Sequence, residues 1–414
     1  MAAHAFAALT LDDAFRLALK KNERIKISEE DVLIAQDNIR LARSVVLPTF
    51  STSLTQSRNK QTGTGGFTTF KNNREFRLEL EQALYGGGKE WAVYRGAKIE
   101  KEISEWQVNL VKQSILFDVA TEYFSLLRAQ EKLNISRRAL DLARDQLALA
   151  RARKEAGTAT RTEVIRSEVA VSTARRDLVR SENDVSVFRA RLGFATGQQV
   201  TAPVTAVSSD DPPLADTPNV EPYVRQALQS RFDYRISELT TKIAEEGIHV
   251  AKAEFMPSAK LTGNYSTTQH VSSFRDPENW QVQAKIEYDI FDGFGRNAGY
   301  EKAKSNLRQA ALEQMRLARE IELDVQESLL EIQALAAIRE ASKKEVASAR
   351  ENYERVIAQF REGLSTAVDV ADAHTAQIAA EVQLATAETD IQLARQKFDL
   401  ARGILGESYL KGEK

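Results

Sequence analysis

Apolar side chains recur at helical spacing along a proline-free stretch from Gly88 to Gly157, whose only internal glycine is Gly96. Ile99, Ile103, Trp106, Leu110, Val119, Tyr123 and Leu126 mark the stripe. From there Leu126, Leu133, Leu140 and Leu147 fall at heptad spacing, each followed three positions later by a small residue: Ala129, Ser136, Ala143 and Ala150. Large and small residues alternating along such a seam predict lengthwise packing against other helices. An unbroken helix of this length reaches roughly 100 Å, against an average of about 11–12 residues in globular domains.

The pattern occurs twice. Residues 295–363 also lack proline, and Val346, Tyr353 and Phe360 repeat the heptad step. One shift of the chain lays Gly157 on Gly363, Val164 on Val370 and Tyr85 on Phe291; nearer the N-terminus Ile27 falls on Ile236, Ala35 on Ala244 and Pro48 on Pro257. Such self-similarity predicts a tandem duplication, with halves at 1–198 and 223–405. A proline-rich linker at 199–222 joins them and a tail at 406–414 follows.

Within each half the order is the same. Thr10 to Asp13 is a helix start, and Leu11, Phe15 and Leu19, then Ile27, Ile34 and Leu41 continue the helical pattern up to Pro48. Period two takes over in strands expected at about 47–58 and 73–85. In the second, Phe76, Leu78, Leu80 and Leu84 share one face, and Glu75, Arg77, Glu79 and Glu81 the other. A glycine-rich loop from Thr62 to Gly66 separates them, and Gly86-Gly87-Gly88 opens the long helix, 88–157. Gly157 breaks it, and a return helix is predicted at 161–192. The second half gives a helix breaking near Phe232-Asp233, Pro257, strands at about 260–271 and 280–291, a turn at Gly293, a long helix at 295–362 and a return helix at 365–405. Trp280, Val282, Ala284, Ile286, Tyr288 and Ile290 form the apolar face of its last strand.

Four strands cannot close into a barrel and leave two open edges. Their length suits a tilted membrane crossing of about 9–11 residues, and apolar-out, charged-in alternation suits a barrel with a wet interior. Unpaired edges are prohibitive in lipid, so several chains would have to share one barrel. The residues alone leave an alternative, a soluble sheet covered by helices in a coiled-coil scaffold or tether of the cell envelope without transport activity.

Composition narrows the chemistry. The 57 basic and 59 acidic residues are interleaved, giving a net charge of −2 and no basic stripe for nucleic acid. The absence of cysteine excludes disulfides and thiolate metal sites. With three methionines as well, soft ligands for a copper(I) path are scarce. His4, His249, His270 and His374 show no ligand spacing, so no metal, cofactor or enzymatic activity is expected. His374 reads as a solvated residue on a helix surface. No run of apolar residues is long enough for a transmembrane helix. Ala5-Phe6-Ala7 fits the end of a trimmed signal peptide.

The order of elements, repeated twice, resembles the TolC-like outer-membrane efflux proteins. The turns carry the resemblance: Gly363-Leu-Ser-Thr-Ala-Val-Asp369-Val-Ala-Asp372-Ala, and Gly157-Thr-Ala-Thr-Arg-Thr162-Glu163-Val164. The Leu84–Lys89 and Ile290–Gly293 segments resemble the family's strand-to-helix junctions, placing Pro48, Gly87, Pro257 and Gly293 there. The resemblance implies a mainly α protein with a membrane β-barrel: a homotrimer whose chains complete a twelve-stranded barrel in the outer membrane of a Gram-negative bacterium. A long-helix tunnel would extend into the periplasm, with the 199–222 linker at its equator. It further implies the exit duct of a tripartite efflux pump or type I secretion system, with a periplasmic adaptor and an inner-membrane transporter as partners. Asp369 and Asp372 would form acidic rings at the tunnel constriction, their mutual repulsion raising some pKa values. Gly157, Thr162, Glu163, Arg166, Gly363, Ser365 and Thr366 would serve tip closure and adaptor docking. Ser365 stands where some members carry an arginine that bonds across to the first turn, leaving Arg161 or Arg166 to supply that cation.

Overall fold

The computed structural model describes residues 8–62, 68–205, 219–270 and 278–410. The expected Ala-x-Ala segment, most of the glycine-rich loop, residues 206–218 of the linker and the loop holding Pro277 lie outside these. Helices α1 (Leu11–Lys21) and α2 (Glu23–Ser44) lead into strands β1 (Thr49–Thr62) and β2 (Thr68–Gly86), then α3 (Lys89–Glu155) and α4 (Arg161–Thr196). The order repeats as α5 (Glu221–Ser230), α6 (Phe232–Ala253), β3 (Ser258–His270), β4 (Glu278–Glu287), α7 (Gly295–Arg361) and α8 (Ala367–Ala401). A short α9 (Glu407–Leu410) follows. The long helices α3 and α7 each run 67 residues, as their lack of proline allows.

The four strands form one antiparallel sheet in the order β1-β2-β3-β4. Register makes the period-two pattern continuous across it. Phe50 pairs with Leu80, Leu80 with Gly263 and Gly263 with Val282; one step on, Thr52, Leu78, Tyr265 and Trp280 form the next row. Ser51, Glu79, Asn264 and Gln281 lie between these rows, on the opposite face. The apolar face is uncovered within the chain, with Phe50 80%, Trp280 74% and Ile286 77% exposed.

Three strand ends fall well away from their expected positions. The β1–β2 hairpin pairs as far as Thr62 and Thr68, beyond the expected ends at 58 and 73, because backbone pairing continues through a polar stretch that shows no alternation. β4 stops at Glu287, short of the expected 291. Ser258 is its last partner, and the residue before it, Pro257, has no amide to extend the ladder.

The compact units cut across the duplication. Ser28–Gln107 and Asp233–Leu317 form one; Met1–Ile27, Val108–Phe232 and Ala318–Lys414 form the other. Each draws on both halves because its defining contacts join them. In the sheet-bearing unit, β2 pairs with β3, Arg95 of α3 makes two 2.8 Å bonds to Glu246 of α6, and Lys89 reaches Glu254 at 2.5 Å.

In the other unit, α3 buries Ile115, Leu116, Val119, Tyr123 and Leu126 against Leu11 and Phe15 of α1, Leu192 of α4 and Leu405. The heptad seam is realised there: Leu126, Ala129, Leu140, Ala143 and Ala150 are buried, and Ser136 bonds Ser181 of α4 at 2.9 Å. The Tyr123 hydroxyl lies 2.9 and 2.8 Å from the carbonyls of Leu9 and Thr205 and donates to one at a time. The expected C-terminal tail begins with α9, which packs onto α1: Tyr409 donates to Asp12 at 2.5 Å and meets Phe15 edge-on. Burial and the Asp12 carboxylate push the Tyr409 hydroxyl up to about 12.

Replacing Leu126 with alanine should cost about 2–5 kcal/mol. A lowered denaturation midpoint at unchanged helix content checks this.

Candidate functional site

The two inter-helix turns are built alike, position for position. α3 ends with Gly157 at φ +76° and α7 with Gly363 at φ +80°, a conformation that glycine adopts without a Cβ penalty. Thr158 N donates to Arg153 O at 2.8 Å, and Leu364 N donates to Gln359 O at 2.8 Å, closing both helix ends in the same way. Each return helix then opens with a capping box. Thr160 and Glu163 cap α4, and Thr366 and Asp369 cap α8, each pair bonding the other's backbone amide. One turn further, Val164 and Val370 are both 3% exposed.

One residue ties the turns together. The Arg153 carbonyl accepts Thr158 N and, at 3.0 Å, the Thr158 hydroxyl. Its guanidinium lies 4.5 Å from the Phe360 ring centroid and donates to Phe360 O at 3.2 Å. That carbonyl also accepts Gly363 N at 3.1 Å. Within one chain the cation that crosses between the turns is Arg153 of α3; Arg161 and Arg166 are exposed on α4. Arg151 adds a 3.0 Å bond to Glu168 on α4. Arg153 was missed because the duplication lays it on Gln359, so it stands out as a difference between halves, not as part of the repeat.

The other predicted residues take mixed places. Ser365 donates to Val356 O at 3.1 Å and holds the second turn onto its own helix. Thr162 and Arg166 are exposed on α4. Glu163 is occupied by its cap. Asp369 is also exposed, and its Oδ2 accepts Thr366 N at 2.8 Å and Thr366 Oγ1 at 2.7 Å. The Thr366 hydroxyl and amide hold this carboxyl below its usual range. Within one chain the shift is thus downward, opposite to the rise expected of a ring of like charges. Asp372 is exposed three residues along α8. Pro48 precedes β1 and Pro257 precedes β3, while Gly87 and Gly293 adopt positive φ between strand and long helix. A Cβ at Gly87 would lie 2.5 Å from Ala253 O, so α6 closes on that junction.

Under the turns lies a small core: Tyr353 and Phe360 of α7, Val370 and Ala373 of α8, and Leu149 of α3 packed against them. His374 belongs with it, not with the solvated surface where it was expected. It is 8% exposed, and its ring lies 5.5 Å from that of Tyr353 at 37°. His374 follows buried Val370 by one helical turn on α8, and that spacing was the signal for its burial. Among the described residues, no group of three or more His, Cys, Asp or Glu is placed to hold a metal ion. No helix among them is long and apolar enough to cross a membrane.

The profile of the outer membrane efflux proteins matches residues 14–198 and 223–403, one match in each half. The chain belongs to the outer membrane efflux protein family. Similar members include the outer membrane efflux protein BepC of Brucella suis, 23% identical over 391 residues, which are 93% of this chain and 83% of BepC. The pyoverdine export outer membrane protein OpmQ of Pseudomonas aeruginosa is 26% identical over 406 residues, 94% of this chain and 83% of OpmQ. Among solved structures, CusC superposes with a TM-score of 0.82 at 19% identity, covering 95% of this chain and 92% of CusC. VceC of Vibrio cholerae gives 0.77 at 16% identity, covering 95% and 96%. The long-helix architecture of this efflux protein is that of these structures.

Replacing Arg153 with alanine should leave the fold intact and raise hydrogen exchange at Gly363 and Leu364, with a cost of about 0.5–1.5 kcal/mol. Exchange mass spectrometry on the second turn measures this.

Proposed function

We propose that this chain is the outer-membrane exit duct of a tripartite efflux pump or type I secretion system, a passive conduit assembled as a homotrimer. The observation that carries this reading is the sheet. One face is apolar and uncovered across all four strands, the other carries charge, and β1 and β4 each keep one edge unpaired among the described residues. In lipid such edges must find partners. β4 of one copy meeting β1 of the next satisfies both rows, and three copies give twelve strands around a polar lumen. Two copies would give eight, whose interior is filled by side chains. A soluble tether has no use for exposed Phe50, Trp280 and Ile286 on one face.

Family membership supports the same reading, since BepC is named as an efflux protein and OpmQ as an export protein of the outer membrane. A periplasmic adaptor and an energised inner-membrane transporter are the partners this implies. Thr162, Glu163, Arg166, Ser365 and Thr366, with the glycines between them, would lie where the adaptor's helices dock and the mouth closes. Asp372 is the better candidate for a cation-selecting ring in the trimer, because its carboxylate is not bound in a cap as that of Asp369 is. Negative rings at a narrow mouth concentrate cations and repel anions.

Detergent-extracted protein should have the mass of three copies, and a monomer soluble without detergent would overturn the reading. In planar bilayers, Asp372→Asn should lower cation preference while trimer assembly persists. Unchanged selectivity would remove Asp372 from the constriction.

A further inference from the structure

His374 links three helices. Its imidazole packs on Tyr353 of α7, and the Tyr353 hydroxyl accepts Gln146 Nε2 of α3 at 3.2 Å. The imidazole borders a crevice of about 320 Å³ between α3, α7 and α8. Its Nε2 is buried without a hydrogen-bond partner, as is Gln377 Oε1 on the same crevice. The charged groups facing this space are Arg138, Asp141 and Asp145 of α3, Arg350 of α7 and Glu381 of its own helix. Glu381 is already bound, by Arg138 Nη2 at 2.9 Å and by Gln377 Nε2 at 3.0 Å.

We propose that His374 is an acid-sensitive latch: uptake of a proton there loosens the α7–α8 hairpin from α3. A neutral ring can sit against Tyr353 with one nitrogen unbonded. An imidazolium is a donor at both nitrogens and loses its hydration in that position. The acidic group of its own helix that borders the crevice, Glu381, is shared with Arg138, so satisfying the new charge competes with the Arg138–Glu381 tie between α8 and α3. Asp141 and Asp145 favour the charged ring only once it turns into the crevice and leaves Tyr353. Either adjustment takes apart contacts that anchor the second turn.

Burial pushes the imidazole below its ordinary range, with the Glu381 charge opposing. The sign follows from this. A histidine with a depressed folded pKa contributes stability that is fully present above the unfolded value of about 6.5. That stability is lost as the pH falls from there through the folded value. The window lies below neutrality, where a histidine changes charge. A loosened hairpin would raise conduction, a consequence that rests on the channel reading above; the loosening itself does not.

The test is hydrogen exchange on the full chain in detergent, corrected for intrinsic rates, between about pH 7.5 and about pH 5. Peptides spanning Ser342 to Ile378 should lose protection several-fold in the wild type. His374→Phe, which keeps a ring on Tyr353 and cannot protonate, and His374→Gln, which keeps polarity, should both stay protected. Equal loss in both variants, or full protection of the wild type at low pH, would overturn the proposal. Bilayer conductance of the same samples separates the two claims. A hairpin that loosens without added conductance counts against the channel consequence and leaves the latch standing.

Discussion

Backbone hydrogen bonding at the sheet edges constrains everything else. Each interior strand spends its amides and carbonyls on two neighbours, while β1 and β4 spend theirs on one. An edge beside an apolar, uncovered face has two stable solutions: charge and proline to blunt it in water, or a matching edge in lipid. This chain does not blunt it. Phe50 and Leu54 on β1, and Trp280, Val282 and Ile286 on β4, keep the edges oily. In the membrane reading proposed above, a chain that supplies only part of a wall needs long elements that pack lengthwise, and the heptad steps of α3 and α7 pack that way within the chain.

Much of this was legible because it depends on spacing. The leucine–alanine seam of α3, the alternation of β2 and β4 and the glycine at each turn are one-dimensional signals with a direct geometric meaning. The position-for-position match of the two turns, down to Val164 and Val370, follows from the duplication alone. Strand ends were less legible. The β1–β2 ladder runs on to the Thr62–Thr68 pair through a polar sequence without alternation, because pairing is set by the partner strand.

The candidate site was legible in its turns and less so in its contacts. Asp369 is expected at the tunnel constriction and Glu163 at the tip closure; within one chain each carboxylate closes a local cap. Motif spacing cannot separate these roles, since the first turn of a helix favours acids for either reason. Arg153 escaped notice because its partner is a carbonyl more than two hundred residues away, a group with no sequence signature. His374 was misplaced because a histidine among alanines and threonines on α8 looks solvated until Tyr353 of another helix is laid beside it.

The Phe360 carbonyl has a dual service: it terminates its own helix through Gly363 and receives the guanidinium of Arg153, whose own carbonyl terminates α3. Two helix ends hundreds of residues apart thereby share one termination circuit. Unwinding either end weakens the acceptor or the donor on which the other relies. The hairpins are therefore geared: prying one loose removes a contact that holds its twin.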